Sequence, residues 1–139
     1  MFISNGVKQV IVFGTFDIFH KGHMSFLRQA KKYGDFLLVV IARDRIVKKV
    51  KRKLPRNNEK NRLKTVENSG LADEVVLGHL RDMYAFIKKY KPDVIALGYD
   101  QTAFVDKLEE KLLSMDMKSV RIIRLKSYRP NIYKSSKLI

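Results

Sequence analysis

Residues Gln9 to His23 read QVIVFGTFDIFHKGH: an apolar run, a glycine, a short polar turn, and two histidines on either side of another glycine. The run Lys8–Phe13 is nearly continuous in Val, Ile and Phe, the pattern of a strand covered on both faces and hence of a parallel sheet. Gly14 removes a side chain where the chain leaves that strand, so a ligand can approach the backbone closely. Gly22 and His23 open a helix whose unpaired amides and dipole favour an anion. His20 and His23 stand three residues apart, so their rings can converge at the helix entrance and donate hydrogen bonds to phosphate oxygens. Taken alone, the pair also fits two other roles, plain polar residues at a helix start or part of a zinc site. Zinc asks for three or four protein ligands, and the chain offers only His79 as a further histidine and no cysteine.

The remaining chain repeats this alternation. Phe36–Ala42, Glu74–Leu77, Asp93–Leu97 and Val120–Leu125 are short β-rich runs. Between them lie helical spacings. Met24, Leu27 and Ala30 mark a helix over Gly22–Tyr33, stopped by Gly34,. Leu63 and Val66 mark a second, ended by Gly70. Met83, Phe86, Ile87 and Tyr90 form a third stripe behind Asp82, a good N-cap, with Pro92 closing it,. Phe104, Leu108, Leu112 and Met115 mark a fourth. The order predicts an α/β domain spanning residues 1–139, a Rossmann-like, doubly wound, five-stranded parallel sheet. Ligands in such sheets sit beyond the carboxyl ends of the strands, where strand order reverses. The histidine segment leaves the first strand there and GYDQ, Gly98–Gln101, leaves the fourth, so these two flank the expected site. KKVKRKLPRNNEKNR, Lys48–Arg62, is basic and carries Pro55; it reads as an exposed mobile loop.

Composition narrows the partners. Hydrophobic residues make up 45% of the 139 and aromatics 10%, which excludes a disordered chain. No apolar run approaches a membrane span, the opening MFISNGVKQ lacks a signal-peptide layout, and cysteine is absent, so a reducing cytoplasm is the expected location. A net charge of +15 draws polyanions: nucleic acid, anionic membranes or phosphorylated small molecules. A basic nucleic-acid-binding domain is the remote alternative. It lacks support from an RNP-like aromatic motif, a zinc pattern or a recognition helix, and the charges are spread along the whole chain.

GTFDIFHKGH, Gly14–His23, resembles the G-T-F-D-x-x-H-x-G-H signature of the cytidylyltransferase-like nucleotidyltransferases. YKSSKLI resembles their second signature, a serine pair opening the last helix, with Ser135, Ser136 and Ile139 in the matching places. The resemblance implies transfer of a nucleotidyl group from a nucleoside triphosphate to a phosphorylated acceptor with release of pyrophosphate. It implies that His20 and His23 are catalytic at the α-phosphate, and that Thr15, Phe16, Lys21 and Gly22 bind nucleotide with them. Ser135 and Ser136 would hold the β- and γ-phosphates, with Arg62 and one of Lys48, Lys49 or Lys51 within reach. Asp100 matches a position that contacts ribose or base, with a helix N-cap as its other reading, and Tyr128 either stacks on the purine or lies at the rim. Asp17 reads best as a cap on loop amides. The implied cofactor is a divalent cation, Mg2+, whose ligands the sequence does not reveal, and homodimers are common among such proteins. ARDRIVKK, PDVIALGYDQ and RIIRLKSYRP look most like the archaeal-type FAD synthases, which join ATP and FMN. Glycerol-3-phosphate cytidylyltransferases and sugar-phosphate adenylyltransferases are the alternatives on the same fold. A flavin ring would need aromatic walls, for which Phe16, Phe19, Tyr99 and Phe104 are available,.

Overall fold

A computed structural model describes residues 6–82, 84–101 and 107–127. The expectations placed on Met83, Phe104, Tyr128, Ser135, Ser136 and Ile139 fall outside those residues. In chain order the elements are β1 (Gln9–Gly14), α1 (Lys21–Lys31), β2 (Phe36–Ile41), α2 (Asp44–Lys51), α3 (Glu59–Asn68), β3 (Glu74–Leu77), α4 (Ala85–Tyr90), β4 (Val94–Leu97), α5 (Leu108–Ser114) and β5 (Arg121–Arg124). The strands form one sheet in the order β3-β2-β1-β4-β5, and every pairing is parallel. Strand order therefore reverses at β1, between β2 and β4, as the alternating pattern predicts.

Period-two alternation explains the near-continuous apolar runs. Val10 and Val12 enter one core layer with Leu27, Ala30 and Val66 from α1 and α3. Ile11 and Phe13 enter the other with Ile87, Leu108 and Leu112 from α4 and α5. Both faces of β1 are thus buried, and polar alternation would leave unpaired groups in one layer or the other. The edge strand β5 differs, keeping Arg121 and Arg124 exposed around Ile122 and Ile123. Such charges blunt an edge against further pairing. Among the described residues no helix is long and apolar enough to cross a membrane.

Three local expectations change. The N-cap of α4 is Tyr84 and not Asp82, whose carboxylate accepts from the Tyr84 amide at 2.9 Å. The basic stretch Lys48–Arg62 is not one loop. Its first residues complete α2, which turns Ile46 and Val47 inward, and α3 begins at Glu59 after the Asn58 side chain accepts from the Asn61 amide. The two helix starts also cap each other: the Glu59 carboxylate accepts from the Asp44 amide at 2.9 Å, and the Asp44 carboxylate from the Glu59 amide at 3.2 Å. Each carboxylate satisfies amides that a helix start otherwise leaves unpaired. Gly34 stands where expected but for another reason: a Cβ there would lie 2.7 Å from the Lys8 carbonyl oxygen, so it permits close passage beside β1. Gly70, with φ +71°, does supply the left-handed residue after α3,.

Candidate active site

The two histidines form a capping box at the start of α1. His20 is the N-cap, with φ −137° and ψ −177°. Its Nδ1 accepts from the Gly22 amide at 3.0 Å, while its own amide donates to His23 Nδ1 at 3.3 Å. Imidazoles here occupy the places that Ser or Thr and Glu take in the usual box. The rings stack at 3.9 Å between centroids and 21° between planes. His23 also stacks on Phe19 at 5.7 Å and meets Phe16 edge-on at 5.3 Å.

This packing sets the charge state. Burial, then the neighbouring His20 and Lys51, push the His23 pKa down to about 3, against an opposing hydrogen bond with the Ile18 backbone. Burial lowers His20 as well. Both rings are therefore neutral at pH 7. With Nδ1 accepting the Gly22 amide, the ring proton of His20 belongs on Nε2, while the ring N–H of His23 is the donor in its hydrogen bond with the Ile18 backbone,. The pair offers hydrogen-bond donors fixed by a helix cap, not a pair of cations.

A pH dependence of stability follows. A histidine whose folded pKa lies below its unfolded value binds its proton first in the unfolded chain. His23 therefore contributes its full stabilisation above pH 6.5 and loses it as pH falls from 6.5 toward 3,. The slope is about 1.4 kcal/mol per pH unit. Urea unfolding should show a loss of about 2 kcal/mol between pH 6.5 and pH 5 from this group, and His23→Asn should flatten that part of the profile. An equal slope in the variant would assign it elsewhere.

The loop before α1 is built from strain and burial. Phe16 has φ +52°, a conformation a bulky residue adopts only when its surroundings impose it. That turn folds its ring back over β1, where a Cβ on Gly14 would meet Phe16 Cε2 at 2.5 Å. Gly14 thus makes room for a side chain of its own chain. Phe16 is 4% exposed and packs on Phe19, Phe26 and His23. The ring of this residue, expected at the nucleotide, lies in the core layer of α1 and α3.

Arg62 departs furthest from expectation. Anticipated at the triphosphate, it is fully buried. Its Nε donates to the Asn57 carbonyl at 2.9 Å, Nη1 to the Thr15 carbonyl at 2.9 Å, and Nη2 to Asp44 Oδ1 at 2.7 Å. These acceptors come from three separate segments, so the guanidinium ties the loop after β1 to the starts of α2 and α3. Asp17 makes the complementary tie. Its carboxylate accepts from the amides of Arg56 and Asn57, each at 2.8 Å, and Asn57 Nδ2 donates to the Asp17 carbonyl at 2.6 Å. The capping role holds, but for loop amides some forty residues away rather than local ones.

Placement of the other predicted residues follows from topology. Lys21, Gly22, His20 and His23 share the first turn of α1, and Thr15 and Phe16 lie just before it. Asp100 is exposed on the loop after β4, the strand paired with β1. Of the three lysines, Lys51 is the one whose charge acts on His23. A crevice lined by Phe13, Val40, Ala42, Arg43, Gly78, His79 and Phe86 contains none of these residues and lies against the α4-side layer. Among the described residues no three of His, Cys, Asp and Glu gather as a metal site. The tie made by Arg43, which donates to Glu59 at 2.9 Å and to the Gly78 carbonyl at 2.8 Å, carried no signal in the sequence.

Comparisons with known proteins place the chain in a family. Residues 11–139 match the family model described as cytidylyltransferase-like. An FAD synthase of Aciduliprofundum boonei is 45% identical over 120 residues, 86% of this chain and 79% of that protein. One from Pyrococcus abyssi is 44% identical over 133 residues, 94% of this chain and 89% of the relative. A solved structure described as the lipopolysaccharide core biosynthesis protein from Thermoplasma volcanium superimposes with a TM-score of 0.81 at 37% identity, covering 88% of this chain and 99% of that one.

Proposed function

The chain belongs to the cytidylyltransferase-like family, and from that membership we propose that it is an FAD synthase, an FMN adenylyltransferase that transfers AMP from ATP to FMN and releases pyrophosphate. The observation that carries the reaction class is the histidine capping box at the switch point of the sheet. The choice of FMN as acceptor is supported by relatives named FAD synthase that align along most of the chain.

The reaction suits neutral donors. A phosphate oxygen of FMN is already ionised near neutral pH and attacks the α-phosphorus without a general base. A new P–O bond forms to FMN while the bond to the bridging oxygen breaks, and pyrophosphate leaves with its electrons. Catalysis then rests on positioning and on stabilising charge on the equatorial oxygens of the five-coordinate centre. In this reading His20 supplies an Nε2–H donor there and His23 its ring N–H in exchange for the Ile18 backbone, and their stacking and shared cap hold both rings before substrate arrives. Thr15, Phe16 through its backbone, Lys21, Gly22, Asp100 and Tyr128 contact the nucleotide in this reading, and Ser135 and Ser136 hold the β- and γ-phosphates. Lys51 adds cationic charge on the same side.

The described residues suit a divalent cation, Mg2+ in our reading, that enters on the triphosphate rather than one held by the apoprotein. Asp17 and Asp44 are already engaged by loop amides and by Arg62, so phosphate oxygens and water would supply most of its ligands. Bound there, it neutralises charge on the phosphates.

The test pairs ATP or CTP with FMN or glycerol-3-phosphate, in the presence of Mg2+, and follows pyrophosphate while identifying the organic product by chromatography. FAD from ATP and FMN is the expected result. CDP-glycerol would overturn the acceptor and keep the reaction class, and no pyrophosphate from any pair would overturn both.

A further inference from the structure

The pairing of β1 with β4 ends with Val12 opposite Ala96. By the alternation of a parallel ladder, the next rung would run from the Gly98 amide to the Phe13 carbonyl. That rung is replaced by a side chain. Gln101 Oε1 accepts from the Gly98 amide at 3.2 Å, and Gln101 Nε2 donates to the Phe13 carbonyl at 3.2 Å. One primary amide thus spans the gap where two neighbouring strands part, satisfying a donor on one and an acceptor on the other. The Gly98 carbonyl does not reach β1 either: Arg124 Nη1 donates to it at 2.7 Å and to the Gln101 carbonyl at 2.9 Å. The loop Gly98–Gln101 is consequently fixed from both sides, by Gln101 against β1 and by Arg124 from β5.

This is the crevice at the switch point, where such sheets take their ligands. On one rim stand Gly14 and Thr15, leading to His20; on the other stand Tyr99 and Asp100. We propose that Gln101 is a positioning residue for the nucleotide: its amide wedge sets the separation of the β1 and β4 ends and holds the Gly98–Asp100 backbone at the distance a nucleoside requires. It acts through the loop and touches no reacting atom. Loss of the wedge lets the β1 and β4 ends re-pair directly, which closes the gap, or removes the tie between the Gly98 amide and β1, which loosens the loop. Either outcome weakens nucleotide binding and leaves the histidine cap on α1 unaltered. The inference rests on the functional reading only in taking ATP as the nucleotide.

The experiment is equilibrium titration of the full chain with ATP and Mg2+, for the wild type, Gln101→Met and Gln101→Asn, with thermal melts recorded alongside. Methionine keeps the length of the side chain and removes both hydrogen bonds; asparagine keeps the amide but is one methylene too short to span the gap. The dissociation constant for ATP is expected to rise about tenfold in Gln101→Met, the scale of losing a part-buried pair of hydrogen bonds, and by less in Gln101→Asn. In FAD-forming turnover KM for ATP should follow, while kcat and KM for FMN stay within about twofold. ATP binding within twofold of wild type in a folded Gln101→Met would overturn the proposal, as would a fall in kcat at unchanged KM. If Gln101→Met does not fold, Gln101→Asn decides by the same criteria. A wild type that binds ATP but makes no FAD would refute the acceptor and leave this inference standing; a wild type that does not bind ATP would refute both.

Discussion

His20→Asn is expected to leave the fold in place and to lower the rate of FAD formation by about a hundredfold or more. The reasoning separates two roles that one ring performs. As N-cap, His20 accepts the Gly22 amide through Nδ1, and asparagine is among the best residues for that task. The helix start should therefore survive, with stability within about 1 kcal/mol of wild type. What asparagine cannot reproduce is a donor at the distance of Nε2. Removing one fixed donor from a site where charge develops costs about 10²–10³ in rate, or about 3–4 kcal/mol of barrier. His20→Ala should lose the same activity and the cap as well. His23→Asn should match His20→Asn in rate but cost more stability, because His23 is packed against Phe16 and Phe19. Because the two rings stack and cap each other, the double variant should fall little below the worse single one, as expected of groups that act as a unit. Steady-state turnover with a melt on each variant is the check. Activity within tenfold of wild type in a well-folded His20→Asn would remove His20 from the chemistry.

The parts of this protein that were legible in the sequence are those set by local periodicity. The strand cores of β1 and β2 announce themselves because both faces are buried, and the histidine pair does so because a spacing of three is itself a helix-cap geometry. The illegible parts depend on distant partners. α2 offers only Ile46 and Val47 to the core among exposed lysines, too few apolar positions to declare a helical period. Its first turn is completed by Glu59, fifteen residues on. That the ring of Phe16 packs against Gly14 follows from a left-handed backbone that no local pattern reports. Gln101 sits in a stretch whose resemblance was noted, yet its partner on β1 is 88 residues away. Arg62 shows the limit most clearly. The resemblance puts this arginine at the triphosphate, and no local pattern reports that three acceptors surround it.

Arg62→Met should unfold the protein more readily, with activity surviving in whatever fraction stays folded. The guanidinium is fully buried and meets the Thr15 and Asn57 carbonyls and the Asp44 carboxylate. Methionine fills the volume of the alkyl stem but abandons all of these acceptors in a desolvated place. Breaking a buried charge pair by removing one partner costs about 3–5 kcal/mol, because the remaining groups stay buried without compensation. For a domain of this size that is a fall in Tm of about 10–15 °C. Arg62→Lys should recover only part of it, since a single ammonium cannot span three acceptors that a planar fork reaches together. The Asp44→Leu/Arg62→Met double variant should be less destabilised than the sum of the single ones, by about 1–3 kcal/mol, because the carboxylate is no longer left behind. The competing role, a direct contact with the triphosphate, makes the opposite forecast: an unchanged melt and a raised KM for ATP. The buried geometry favours the first, and Thr15 shows why the two are linked. Its carbonyl is held by Arg62 directly before the strained turn at Phe16, so the guanidinium supports the loop between β1 and α1 from behind, while the histidines keep their own cap and ring packing.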